Sequence, residues 1–221
     1  ITIEQVLNRE LTALLKEPIS VIGASRTDSG VHARGNVAVF DTENRMPADK
    51  ICFALNQRLP EDIRVQSSEE VPADWHPRKA NCTKTYEYKV LNRKISMPLE
   101  RLYAHFCYFN LDLDKMREAA AYLVGEHDFK SFCENKHMKK STVRTIYEIS
   151  FSFENGILTI DFFGNGFLYH MVRILTGTLL EVGTHEKNPK ETDTILQAKD
   201  RLSAGFTAPP QGLFLVEVFY Q

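Results

Sequence analysis

Apolar residues at Ile3, Val6, Leu7, Leu11, Leu14 and Leu15 recur every three or four positions, the spacing that lines one face of a helix. Thr2-Ile3-Glu4-Gln5 has the form of a capping box, in which a hydroxyl and a Gln side chain satisfy the first free amides. The pattern predicts a helix from residue 3 to near Glu17. Strands follow over 19–24 and 36–41, then a helix over 48–59 stopped by Pro60, then a strand over 63–67. The first half of the chain reads αββαβ.

The period then changes. Over 85–91, Tyr86, Tyr88 and Val90 share one face, and Thr85, Glu87 and Lys89 the other. A helix over 112–124 is closed by Gly125, a residue common just past a helix end. Tyr147, Ile149, Phe151 and Phe153 alternate with polar residues, Asn155-Gly156 turns the chain, and 157–163 returns. Asn-Gly between alternating runs is a strong hairpin signal. Helices over 167–182, ended by Gly183, and over 191–202 precede a last strand over 213–220. This half reads βαββααβ.

The halves match if the first lacks its opening strand. Each is then a version of the split βαββαβ unit, and the expected class is α+β: two tandem ferredoxin-like halves with mostly antiparallel sheets meeting at a central cleft. On this reading Ile1 is not a natural start, and a strand precedes the first helix. The expected domains are 1–79 and 84–221, linked near 73–83.

Composition narrows the class. An apolar share of 43% and a charged share of 25% are ordinary for a soluble globular protein. No apolar run approaches the roughly 20 residues of a membrane helix, and no signal peptide is visible. Cys52, Cys82, Cys107 and Cys133 form no Cys-x-x-Cys, which favours reduced thiols in a cytoplasmic protein. A net charge of −2 does not announce a nucleic-acid binder, but the charges are unevenly placed. Arg78, Lys79, Lys84, Lys89, Arg93 and Lys94 face the single acid Glu87 across 76–94, and Lys136, Lys139, Lys140 and Arg144 stand without an acid across 136–144. Each run singly fits a solvated face. Together with Arg26 and Arg34 they suit a surface that tracks phosphates.

The chemistry concentrates at 23–40. Asp28 lies in a Ser-Gly turn with Arg26 two residues before it and Arg34 six after it. Such a turn lifts a side chain clear of the backbone, and a carboxylate among permanent cations suits chemistry on an anionic polymer. A second place is Tyr86, first on the inward face of its strand. A third is 164–173, a Gly-rich turn entering an apolar helix that carries Arg173. A guanidinium on such a helix either reaches solvent or finds a partner, because unpaired burial is costly; Asp28 is the favoured partner. His32, His76, His127 and His170 show no metal-ligand spacing and read as structural or RNA-facing. Phe129 and Phe132 read as core.

These segments resemble, in order, the TruA family of tRNA pseudouridine synthases. The resemblance rests on Arg26-Thr27-Asp28-Ser29-Gly30-Val31-His32, on Tyr86-Glu87-Tyr88, and on Phe167-Leu168-Tyr169-His170-Met171-Val172-Arg173. Gly125-Glu126-His127-Asp128-Phe129, Arg144-Thr145-Ile146 and Gly212-Leu213 extend it over nearly the whole chain, while the family's early Tyr-Asp-Gly and Gly-Trp-Gln motifs are missing. It implies an isomerase that converts uridine to pseudouridine at positions 38–40 of the tRNA anticodon stem-loop. Asp28 would be catalytic, Arg173 its partner, Tyr86 the residue against the target base, and Arg26 the one that displaces the nucleotide. Where RNA binds, His32 and Arg34 would face it, and Arg78 and Lys84 would contact its phosphates; otherwise Arg78 and Lys84 are plain surface. The reaction only rearranges bonds, so it implies neither metal nor cofactor. The family also implies a homodimer in the cytoplasm. Without the resemblance, two other classes stay open: a catalytically silent RNA-binding module, and a carboxylate enzyme for a small molecule.

Overall fold

Helix α1 (Ile3–Leu15) starts where the capping box places it. The Gln5 amide donates to the Thr2 hydroxyl at 3.1 Å, and the Thr2 amide donates back to the Gln5 side chain at 2.8 Å. The computed structural model describes residues 1–134 and 141–221. They form two compact units, one of residues 1–26 and 36–81, the other of 27–35 and 82–221.

In the first unit α1 packs its apolar stripe, Val6, Leu11 and Leu15, on Ile51 and Leu55 of helix α2 (Ala48–Asn56), with Ile19, Val21 and Leu59 closing the core. The strands expected here are much shorter than predicted. Three short ones occur in this stretch of chain: β1 (Ile22–Gly23), β2 (His32–Ala33) and β3 (Ala38–Val39). β1 pairs antiparallel with β3. Helix side chains take over amides that longer strands would have paired, Thr12 Oγ1 accepting from Ile19 N and Asn8 Oδ1 from Val21 N. The strand expected over 63–67 does not form. Val65 instead exchanges both backbone hydrogen bonds with the Asn56 side chain, each at 2.8 Å. A side-chain amide thereby does the work of a neighbouring strand.

The second unit is one seven-stranded sheet with helices packed on it. Its strands are β2, β4 (Cys82–Asn92), β5 (His105–Cys107), β6 (Gly125–Asp128), β7 (Val143–Glu154), β8 (Ile157–Gly164) and β9 (Leu213–Tyr220), in the order β2-β9-β4-β8-β7-β6 with β5 on β4. Pairing is antiparallel except for β2 with β9 and β4 with β5. The inward face holds Tyr86, Tyr88 and Val90 beside Phe162, Ile160 and Leu158, all buried. Helices α3 (Leu113–Ala121), α4 (Met171–Gly183) and α5 (Glu191–Ala198) complete the unit, with Ile174, Leu175 and Leu179 of α4 in the core. Phe129 and Phe132 are fully buried.

Asn155 and Gly156 both take positive φ, 53° and 80°, as a two-residue hairpin twisted to match its strands requires. The alternation along β7 is less regular than its sequence. The register shifts between Ile146 and Glu148, so that Ile146 is buried while Tyr147 is exposed. Helix α4 also begins later than expected, because His170 stands in the left-handed region and cannot continue a helix.

Candidate active site

The Asp28 turn is closed locally and pinned from outside. Val31 N donates to Asp28 O at 3.0 Å, and Gly30 has φ +83°. The positive φ favours glycine there, and a Cβ would stand only 3.1 Å from the Pro210 ring. Immediately downstream, β2 pairs with β9 (His32 opposite Phe214) and Arg34 N donates to Leu215 O. The chain leaving the turn is thus anchored to the sheet.

Arg173 lies in the first turn of α4 and reaches Asp28 across 145 residues of sequence. Its Nη1 donates to Asp28 Oδ2 at 2.9 Å, and its Nε donates to Ala208 O at 2.7 Å. The Ala208 amide returns a bond to Arg173 O, which fixes the backbone behind the guanidinium. The Arg173 side chain is 12% exposed and that of Asp28 is 27% exposed, so the pair is shielded at one end and open at the other.

A second nitrogen approaches the same oxygen. His170 Nε2 is 3.1 Å from Asp28 Oδ2, and its Nδ1 is 2.5 Å from Glu134 Oε2. The Tyr169 ring stacks on His170 with centroids 3.8 Å apart. Glu134 Oε1 accepts from Thr207 Oγ1, with Arg201 Nη2 at 3.6 Å. Burial pushes the Glu134 carboxyl up, but Thr207, His170 and Arg201 together outweigh it and hold the group below the usual carboxylate range. Among the described residues, Asp28 Oδ1 accepts no hydrogen bond.

Tyr86 is buried on β4 with Phe167 edge-on to it at 5.2 Å. Two residues on, the Tyr88 hydroxyl donates to Pro209 O at 2.7 Å. Burial raises the pKa of that hydroxyl against the opposing charge of Arg173. It is a support beneath the segment that carries Ala208.

The other expected contact residues are dispersed. Arg26 and Arg78 belong to the first unit, where both are exposed and Arg78 Nε donates to Gly23 O. His32 is tied into the second unit by its bond to Leu102 O at 2.7 Å and its stack on Phe214. Arg34 pairs with Glu87 at 2.8 Å and lies over the Phe214 ring, with 48% of its side chain still exposed. Lys84 is half-buried on β4. Lys136, Lys139 and Lys140 lie outside the described residues; Arg144 turns back onto Ser141 O and Val143 O. Among the described residues no three His, Cys, Asp or Glu side chains gather as a metal set.

A shielded Arg at a helix start, an Asp on a glycine turn and a Tyr on an inward strand form a specific combination. The sequence model of the tRNA pseudouridine synthases matches residues 1–78 and 119–221. The chain belongs to that family. It is 42% identical to a tRNA pseudouridine synthase A of Thermoanaerobacter sp. over 220 residues, all of this chain and 90% of the relative. To tRNA pseudouridine synthase A 2 of Clostridium tetani it is 45% identical over 219 residues, 99% of the chain and 88% of the relative. The corresponding Bacillus pumilus protein is 48% identical over 205 residues, 92% of the chain and 83% of the relative. The family match contains Asp28, Glu134, His170 and Arg173, whereas β4 with Tyr86 falls in the gap between its two segments.

Two members of the cluster escaped the sequence reading. His170 sits three residues before Arg173, but only its left-handed backbone aims the ring at Asp28. Glu134 carries no local signal, since it meets His170 from 36 residues away.

Proposed function

We propose that this chain converts uridine to pseudouridine at positions 38–40 of the tRNA anticodon stem-loop, with Asp28 as its catalytic carboxylate. As a tRNA pseudouridine synthase it is an isomerase of tRNA uridines. The observation that carries the role of Asp28 is its asymmetric hold. Oδ2 is held by the Arg173 guanidinium with the His170 ring beside it, while Oδ1 accepts no bond from the described residues and is left for chemistry.

In the reaction the bond from N1 to C1′ breaks, the base turns while held, and C5 is joined to C1′. The C5 proton is lost and N1 gains one, so nothing is oxidised or reduced. Asp28 attacks the nucleotide or removes a proton from it. A stacked base must first be extruded, at a cost of a few kcal/mol. Arg26 fills the vacated space, and Tyr86 packs on the extruded uracil. Arg78, Lys84, His32 and the exposed part of Arg34 contact the RNA backbone. We place the enzyme in the cytoplasm as a homodimer. The large apolar side chains exposed along 95–109, among them Ile95, Leu99, Tyr108 and Phe109, favour a second copy as partner. No helix among the described residues is long and apolar enough to cross a membrane.

The test is tritium release from tRNA labelled at uridine C5. Asp28→Asn and Asp28→Ala abolish release and leave tRNA affinity within a few-fold. A large loss of affinity would make Asp28 a structural residue. Absence of release by a folded, tRNA-binding parent chain would make the protein an RNA-binding module.

A further inference from the structure

Arg173 places a single N–H on Asp28 Oδ2, and one bond leaves a carboxylate free to swing about its Cβ–Cγ axis. A second contact on that oxygen, His170 Nε2 at 3.1 Å, comes from a residue held at φ 60°, ψ 4°, a left-handed conformation that costs energy unless its surroundings enforce it. Those surroundings are on hand. Tyr169 stacks on the ring, and Glu134 meets Nδ1 on the edge away from Asp28. The hydrogen bond of Nδ1 with Glu134 Oε2 fixes the ring so that its Nε2 edge faces Asp28. Glu134 is itself fixed by Thr207, whose hydroxyl also accepts from Arg201 Nη2, while Arg201 Nη1 holds Gly205 O.

We propose that Glu134 and His170 form a positioning relay: Glu134 orients the His170 ring, the ring holds Asp28 Oδ2, and Glu134 thereby governs turnover without touching the nucleotide. The inference rests on the reading of Asp28 as the catalytic carboxylate. Its physical basis is that a reacting group displaced by about 1 Å can lose on the order of a hundredfold in rate.

The test is a double-mutant cycle on the full chain, with single-turnover tritium release, tRNA affinity by filter binding and thermal melts. Glu134→Ala slows release about tenfold or more and shifts tRNA affinity by less than about threefold. Glu134→Gln, whose amide oxygen still accepts from Nδ1–H, restores most of the lost rate. His170→Gln keeps an N–H for Asp28 but cuts the link to Glu134, and it is slow by itself. Adding Glu134→Ala to His170→Gln then costs nothing more, as expected of two groups acting in series. Losses that multiply would overturn the relay and assign Glu134 to the loop of Thr207 and Arg201. A loss confined to tRNA affinity, or a wild-type rate in Glu134→Ala, would overturn it as well. Should Glu134→Ala fail to fold, a wild-type rate in His170→Gln would do the same. Release by the parent but not by Asp28→Asn upholds the synthase reading whatever the cycle shows; no release by the parent overturns both.

Discussion

Arg173 serves two partners in different directions, and only a guanidinium has the geometry for both. Its Nε is spent on Ala208 O and its Nη1 on Asp28. A Lys ammonium is a point donor on a flexible stem and cannot span the two. Arg173→Ala should therefore strip the site of a charge and a brace together. The expected outcome is loss of turnover and about 3 kcal/mol of stability, the lower end of the range for a broken buried pair, because Asp28 keeps some contact with water. Urea denaturation beside tritium release checks it; unchanged values in both would show that the pair does nothing. Arg173 and its choice of Asp28 were legible in the sequence, since a charge on an apolar helix needs a partner. His170 was visible only as a histidine without a metal pattern. What aims it is a backbone angle, and neighbouring side chains that no spacing rule brings together set that angle.

Among the elements, α4 is the one on which the site depends. It carries Arg173 at its start and is buried along nearly its whole length. Gly177 lies at its middle, where glycine ordinarily weakens a helix. The reason is contact: a Cβ there would come within 1.8 Å of Phe206 O and 2.9 Å of that residue's carbonyl carbon. Gly177→Ala must push away the loop that leads to Thr207 and Ala208, two partners of the site. A destabilisation of about 3 kcal/mol is expected, at the upper end for overpacking, with a fall in turnover as Ala208 moves off Arg173. Thermal melts and single-turnover rates test this, and a stable, fully active variant would contradict the tight approach. Long elements with strong periodicity, such as β4, the Asn155-Gly156 hairpin and β9, were legible because tertiary packing reinforces their local pattern. The strands expected in the first unit were not, because α1 and Asn56 supply side chains that compete for the same backbone amides. The strand β2 was hidden too. Two residues beside a turn have no pattern of their own and are strands only because β9 is there to pair with.

At the scale of the whole chain, composition had little to say and the placement of apolar residues more. A monomer of net charge −2 gains a larger contact surface for an anionic polymer by doubling. The exposed apolar run of 95–109 is where we expect that doubling to occur. Replacing Leu99, 80% exposed, by Glu should shift the chain from dimer to monomer in sedimentation equilibrium while leaving its melting temperature nearly unchanged. A dimer that survives Leu99→Glu and Ile95→Glu together would move the interface elsewhere. The α+β class and the mostly antiparallel pairing were readable from the order of elements. The grouping of 27–35 with the later part of the chain was not, since it depends on a partner strand near the far end. That remote pairing has a consequence for how the protein is born. A ribosome releases the Asp28 turn long before its anchor, Phe214 and Leu215. Contacts this distant in sequence form late and carry a large closure entropy. The nascent chain can therefore build much of its sheet while the strand that leaves the Asp28 turn still waits for its partner.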